Sequence, residues 1–326
     1  MSLVLPDHII YNDDQLQIGL SCHPATAGHT IIFKQPDTDL FSLPIADFVE
    51  LMSKVSTVAS ILGSYYGVGR CALVTEGSKT LSLLPLHGPS KDWIQVTSDL
   101  KEFHEVYPGY ISSQDGPKMD GNRLYEICSK IQKISGISEP FDYNFEGDAN
   151  DKNLFARIVR GELQQWRVWE DDHHVAFLTP FANTPGFTVV VPRKHLSSDI
   201  FSIKKKSYAE LVGAAHTVAR ILKKAFGTRQ CGMIFEGFEI NYAYIKIIPI
   251  HQPDLQNTID SSKMSFHEKY QGYVSSLDGP VSQDFKSLTT DALNIRKTLP
   301  VETMKPPRPW SFLSTLPSKG LSIGIS

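Results

Sequence analysis

The sequence predicts an α+β fold made of two similar domains, each a small antiparallel sheet with helices, packed as an intramolecular pseudo-dimer. Three observations predict it. The first is an internal repeat: FHEVYPGYISSQDGP at 103–117 and FHEKYQGYVSSLDGP at 266–280 share eleven of fifteen positions. The second is that other segments match in the same order. YNDD at 11–14 meets WEDD at 169–172, TAGHTIIF at 26–33 meets TPGFTVVV at 184–191, TVASIL at 57–62 meets TVARIL at 217–222, and LPLH at 84–87 meets IPIH at 248–251. The offset drifts only from 158 to 164, so one unit is written twice. Two copies are too few for a solenoid, which favours side-by-side packing. The third is that each copy mixes short β-branched runs with stretches of helical period.

Each element follows from its own pattern. Thr30 to Phe33 and Thr188 to Pro192 read as strands ending in turn residues. Leu51, Val55, Val58 and Leu62 recur at helical spacing, as do Leu211, Ala215, Val218 and Leu222, so each set marks the buried face of an amphipathic helix. Tyr242 to Ile248 alternates and reads as a strand. A helix closes each copy: Leu124, Ile127, Ile131 and Ile134 mark the first, and Leu288, Ala292, Ile295 and Leu299 the second. The domains are expected at 1–135 and 153–303. A Gly-, Pro- and Asp-containing linker at 136–152 joins them. A Pro-containing tail follows at 304–326, as a loose terminus or as a strap anchored by Trp310 and Phe312.

Composition excludes several classes. The chain has 326 residues, 41% of them hydrophobic, which is ordinary for a globular protein and too apolar for disorder. No apolar run approaches the roughly 18 residues of a membrane span, and the N-terminus lacks a secretory pattern. Net charge is −3, from 32 basic and 35 acidic residues, which gives no strong nucleic-acid signal. The four cysteines are scattered without a CxxC pair, so no thiolate zinc site is expected, and a cytoplasmic location is.

Chemistry concentrates on the 242–248 strand. Alternation puts Tyr242, Tyr244, Lys246 and Ile248 on one face and Ala243, Ile245 and Ile247 on the other. The matching face of the first copy carries Ser78, Thr80 and Ser82.

The second copy resembles the histidine triad (HIT) superfamily of nucleotide hydrolases and transferases. The residues that carry the resemblance are Phe155, Ile158, Gly161 and Glu162 of an F-x-x-I-x-x-G-E opening. Val168 to Asp172, Ala176 to Leu178, and Pro185 through His195 follow in order, and Gly237 to His251 stands where a His-x-His-x-His strand belongs. The resemblance covers nearly all of 153–299 and, more weakly, 8–134. It puts Tyr242, Tyr244 and Lys246 at the three histidine positions, with Tyr244 at the nucleophile. In the first copy Ser78, Thr80 and Ser82 fill them, so the triad is degenerate in both copies.

By that resemblance Tyr244 and His251 are the catalytic candidates. Tyr242, Lys246, Asn241, His195, Lys194, Thr179 and Tyr273 are candidates for ligand binding; Thr179 and, in the first copy, Ser21 replace a ribose-binding carboxylate. A tyrosine near its ordinary pKa of about 10 is phenolate about once in a thousand at pH 7. Tyrosyl chemistry would therefore need help from Lys246 or from a base not visible on the strand. The expected function is binding of a nucleotide or nucleotide-like phosphate, a small-molecule partner, by a monomeric chain with triad chemistry lost or altered and no cofactor or metal. The alternatives are an active nucleotidyl hydrolase or transferase acting on an α-phosphate, and a non-enzymatic scaffold.

Overall fold

A computed structural model describes residues 4–35, 37–78, 80–252 and 263–300. The expected tail at 304–326, with Trp310 and Phe312, lies outside the described residues.

Ten strands form one antiparallel sheet. The first five are β1 (Ile9–Asn12), β2 (Leu16–Leu20), β3 (Thr30–Lys34), β4 (Cys71–Thr75) and β5 (Thr80–Pro85). The second five are β6 (Trp166–Glu170), β7 (His174–Leu178), β8 (Thr188–Pro192), β9 (Cys231–Phe235) and β10 (Ile245–Pro249). Their order is β1-β2-β3-β5-β4-β9-β10-β8-β7-β6, so each half runs outward from the β4–β9 seam in the same sequence. At the seam Leu73 pairs with Phe235, Val74 with Ile234 and Thr75 with Met233. Every residue of β4 and β9 is buried. Two strands that would be exposed edges cover each other.

One long helix lies over each half: α1 (Ile45–Tyr66) and α4 (Lys205–Phe226). They bury the stripes the sequence marks, including Leu51, Val55, Val58 and Leu62 on α1 and Leu211, Ala215, Val218 and Leu222 on α4. The helices pack on each other, and the Tyr208 hydroxyl donates to Met52 O at 3.0 Å. Each ends on a left-handed glycine, Gly67 or Gly227, where a Cβ would be strained. Among the described residues no helix is long and apolar enough to cross a membrane. The four cysteines are free and buried, and burial pushes the Cys71 thiol up to about 12.

The closing helices are α2 (Gly121–Ser135) and α5 (Phe285–Thr298), with the short α3 (Leu154–Val159) between them. Their partners are not the ones the 1–135 and 153–303 boundaries imply. Helix α2 packs on β6 and α4 of the second half, while α5 packs on β1, β2 and α1 of the first. Gln132 Nε2 donates to Arg167 O at 2.9 Å; reciprocally, the Arg296 guanidinium donates to Ile9 O. Tyr65 and Tyr66 donate to Asp291 at 2.9 and 3.2 Å.

The repeated loops make the crossings. His104 N–H donates to Asn183 O, Gly116 N–H to Phe181 O and Met119 N–H to Pro180 O. In mirror fashion, His267 N–H donates to Ala25 O, Gly279 N–H to His23 O and Ser282 N–H to Cys22 O. Equivalent residues Ser112 and Ser275 meet in an isolated antiparallel bridge. The glycine of each Asp-Gly-Pro lets backbone touch backbone. A Cβ on Gly116 would sit 2.1 Å from Ala182 O, and one on Gly279 would sit 1.8 Å from Pro24 O. The likeness of the two loops thus has a mechanical reason: each straps its closing helix onto the opposite half.

The linker is anchored to the second half. Buried Arg167 and Arg193 share Glu170 and both donate to Asp142 O, at 2.5 and 2.7 Å. The basic turn Arg193-Lys194 is therefore half structural, and only Lys194 reaches solvent.

Candidate functional site

Helix α3 builds one wall of a cavity in the second half. Asp151 accepts from Asn153 N–H at 2.8 Å, and the Asn153 side chain accepts from Phe155 N–H at 2.9 Å, which caps the helix. Phe155 then packs on Phe177, Tyr242 and Tyr244, with ring centroids 5.4–5.8 Å apart. The cavity, about 430 Å³, lies between α3 and strands β7 and β8. Its walls are Phe155, Ile158, Trp166, Phe177, Phe187 and Val189. Polar groups come from Thr179, Glu239, Tyr244 and Lys246, and the first half's strap adds Gln95, Asp99, Lys101 and Asp115 at the rim.

The strand starts later than its alternation suggests. β10 begins at Ile245, because Tyr242 N–H donates to Ile240 O and Ala243 N–H to Leu196 O, outside the ladder with β8. Nor is the face with Tyr242, Tyr244 and Lys246 an open polar floor: all three are buried.

Tyr244 lines the cavity at 2% exposure, and its hydroxyl proton finds no acceptor among the described residues, while the Glu239 backbone approaches its oxygen. Burial pushes its pKa well above the ordinary tyrosine value, Glu239 and Glu236 add to that, and Lys246 only partly opposes it. The phenolate is thus harder to reach than the sequence alone implies.

The expectation of a Lys246 ammonium available to a phosphate is corrected by its surroundings. Lys246 Nζ donates to Ser113 O at 3.0 Å, Glu236 Oε1 at 2.8 Å and Glu239 Oε2 at 2.6 Å. Those three acceptors use the three N–H bonds of an ammonium. Burial favours the neutral amine, but the carboxylates outweigh it and hold the pKa well above the usual lysine value. Glu236 Oε2 accepts in turn from Ser113 Oγ at 2.7 Å and the Tyr270 hydroxyl at 2.8 Å.

The remaining candidates are scattered. Thr179 lines the cavity, its Oγ1 accepting from Phe181 N–H at 3.1 Å. His195 stacks on Tyr242 at 4.7 Å and bridges Asp151 and Asn241 O, both at 2.6 Å. The Tyr242 hydroxyl donates to Pro192 O at 2.7 Å. Asn241, His195 and Tyr242 thus clamp the linker's end to the approach of β10. His251 does not join Tyr244 at the cavity. Its Nε2 meets Pro185 O at 2.8 Å and its ring packs edge-on against Phe226. Its counterpart His87 meets Ala27 O at 2.9 Å, so both histidines pin a strand end to the loop before the neighbouring strand. Tyr273 lines a different cavity of about 310 Å³ with Lys263, His267 and Lys269.

Sequence reasoning missed Glu236 and Glu239. A signal for Glu236 was present: Glu76-Gly77 and Glu236-Gly237 end matching strands of the two copies. In the first half the corresponding place differs. Val4, Ile9 and Ile31 form a small apolar cluster there, with Val4 against Gly19. Glu76 accepts from Ser276 Oγ at 2.6 Å, and its pKa is raised, chiefly by burial.

The sign of that shift gives a prediction. A carboxyl whose folded pKa exceeds its unfolded one, about 4.3, costs nothing below the unfolded value; its charge destabilises the fold progressively as pH rises. Glu76→Gln is expected to raise the urea midpoint at pH 7 and to lose that advantage at pH 4. Equal effects at both pH values would show that no ionisation penalty exists.

The HIT domain family model matches residues 160–248. An uncharacterized HIT-like protein of Methanocaldococcus jannaschii is 30% identical over 105 residues, covering 31% of this chain and 81% of that one. Another, from Saccharolobus solfataricus, is 30% identical over 125 residues, covering 36% and 89%. Among solved structures, a HIT family member from Bacillus subtilis is 18% identical with a TM-score of 0.34, covering 46% of this chain and 99% of that one. A GalT-like protein of Arabidopsis thaliana is 10% identical with a TM-score of 0.46, covering 76% and 82%. With a HIT domain over the strands that build the cavity, and with relatives aligned over most of their own length, the chain belongs to the HIT family.

Proposed function

We propose that this protein binds a nucleotide or nucleoside-like small molecule in the second-half cavity and does not transfer nucleotidyl groups. One observation carries the reading: the side chain at the nucleophile position, Tyr244, is a buried phenol on the wall of a cavity of ligand size, and its hydroxyl proton has no acceptor among the described residues. A buried hydroxyl without a partner costs about 1–3 kcal/mol. A bound molecule that accepts from it recovers that cost, which favours a ligand site over a bare scaffold. Nucleophilic attack needs the phenolate, which burial disfavours, and no histidine or other base lies on the strand to take the proton.

The proposal includes an intramolecular pseudo-dimer of two HIT-like units, with closing helices exchanged and the chain a monomer. The matched strand order about the β4–β9 seam supports it. Four unpaired, buried cysteines fit a cytoplasmic setting.

Incubation with adenosine phosphoramidate and with diadenosine tetraphosphate is expected to give no turnover, and intact mass no tyrosyl adduct. Turnover abolished by Tyr244→Phe would establish the hydrolase or transferase reading instead.

A further inference from the structure

We infer that the second-half cavity selects an uncharged, flat heteroaromatic ligand, a nucleoside or free base, over its phosphorylated form. This rests on the reading that the cavity binds a nucleoside-type molecule, and it concerns which chemical class that molecule belongs to.

The charges around the polar end of the cavity carry the argument. Two ammonium groups line it, and both are already paired with carboxylates. Lys246 already donates to Ser113 O, Glu236 and Glu239, and Lys101 pairs with Asp115 at 3.0 Å. Against these stand four carboxylates: Glu236 behind Lys246, and Glu239, Asp99 and Asp115 on the lining. A phosphate dianion entering this end meets excess negative charge. To win Lys246 it would have to displace one of the three acceptors already there, and Glu239, the acceptor on the lining, would stay beside it as a like charge.

An uncharged ring meets no such opposition. Phe155, Phe177 and Phe187 offer apolar faces, and Tyr244 on the same wall carries a hydroxyl proton with no acceptor among the described residues. Asp99 sits at the exposed rim, where salt screens it, so the selectivity is greatest at low ionic strength.

The test is a titration of the full chain, in low-salt buffer, with adenosine, guanosine, cytidine and uridine and with their 5′-monophosphates. Calorimetry is the readout, with intrinsic tryptophan fluorescence, to which Trp166 on the cavity wall contributes, as a second. At least one nucleoside is expected to bind tenfold or more tightly than its own monophosphate. Asp99→Asn combined with Asp115→Asn, which leaves Lys101 without its carboxylate, is expected to narrow that ratio by strengthening the monophosphate more than the nucleoside. A monophosphate that binds as tightly as its nucleoside overturns the inference and leaves the proposed ligand site standing. Binding by none of the eight compounds overturns the ligand reading itself, and this inference with it.

Discussion

Lys246→Met is expected to destabilise the fold by about 3–5 kcal/mol, the usual cost of removing one partner from a buried ion pair. The charge left behind causes the loss. Glu236 is buried, and its second oxygen is already engaged by Ser113 and Tyr270, so it has no route to water. Glu236→Gln should cost a similar amount by leaving the ammonium short of charge. The double variant Lys246→Met/Glu236→Gln should recover most of the loss, since a buried pair is worth little against a neutral replacement of similar shape. Glu239→Gln should cost least, because Glu239 is 29% exposed and water can replace it. Urea unfolding of the four variants checks the order. A Lys246→Met protein as stable as the wild type would mean that the network does not hold the centre of the molecule.

The limits of sequence reading are plain at this position. Alternation along 242–248 correctly groups Tyr242, Tyr244 and Lys246, because period-two geometry is local. It says nothing of what lies opposite them. Glu236 and Glu239 reach Lys246 only because the β9–β10 connection folds back, and Ser113 arrives from the other half. Helix α2 shows the same boundary between local and tertiary information. Leu124, Ile127, Ile131 and Ile134 declare a buried stripe; Leu124 and Ile131 are buried together with Cys128, while Ile127 and Ile134 lie half-buried at its margin. A stripe does not say which half of the sheet it will cover, and two halves with the same strand order offer similar surfaces. What distinguishes them is the path of the 103–117 strap, set by contacts such as Gly116 against Ala182 O. Those contacts exist only once both halves are in place. The repeat itself was legible because its two copies are most alike in the loops that cross onto the opposite half.

That reciprocity fixes the last prediction. A protease site inserted at the exposed stretch Ser138–Pro140, between the end of α2 and the anchored linker, should yield two fragments that stay together after cleavage. Fragment 1–138 produced alone should fail to fold. It would keep β1–β5 and α1 but lose α5, whose Ala292 and Ile295 are fully buried, and the second strap with Val274. Each fully buried aliphatic side chain contributes about 1.5–3 kcal/mol, and several lost together rival the 5–15 kcal/mol that typically holds a whole domain. The fragment would also expose the fully buried β4 as a bare sheet edge, and it would carry α2 with its apolar stripe uncovered. Size-exclusion chromatography of the nicked protein, together with circular dichroism of each fragment, decides the matter. A soluble, cooperatively unfolding 1–138 fragment would mean that the exchanged helices and straps decorate two self-sufficient halves. Recovery of native signal only on mixing would mean that each half is completed by chain from the other, so the second-half cavity, with Lys101 and Asp115 at its rim, exists only in the assembled molecule.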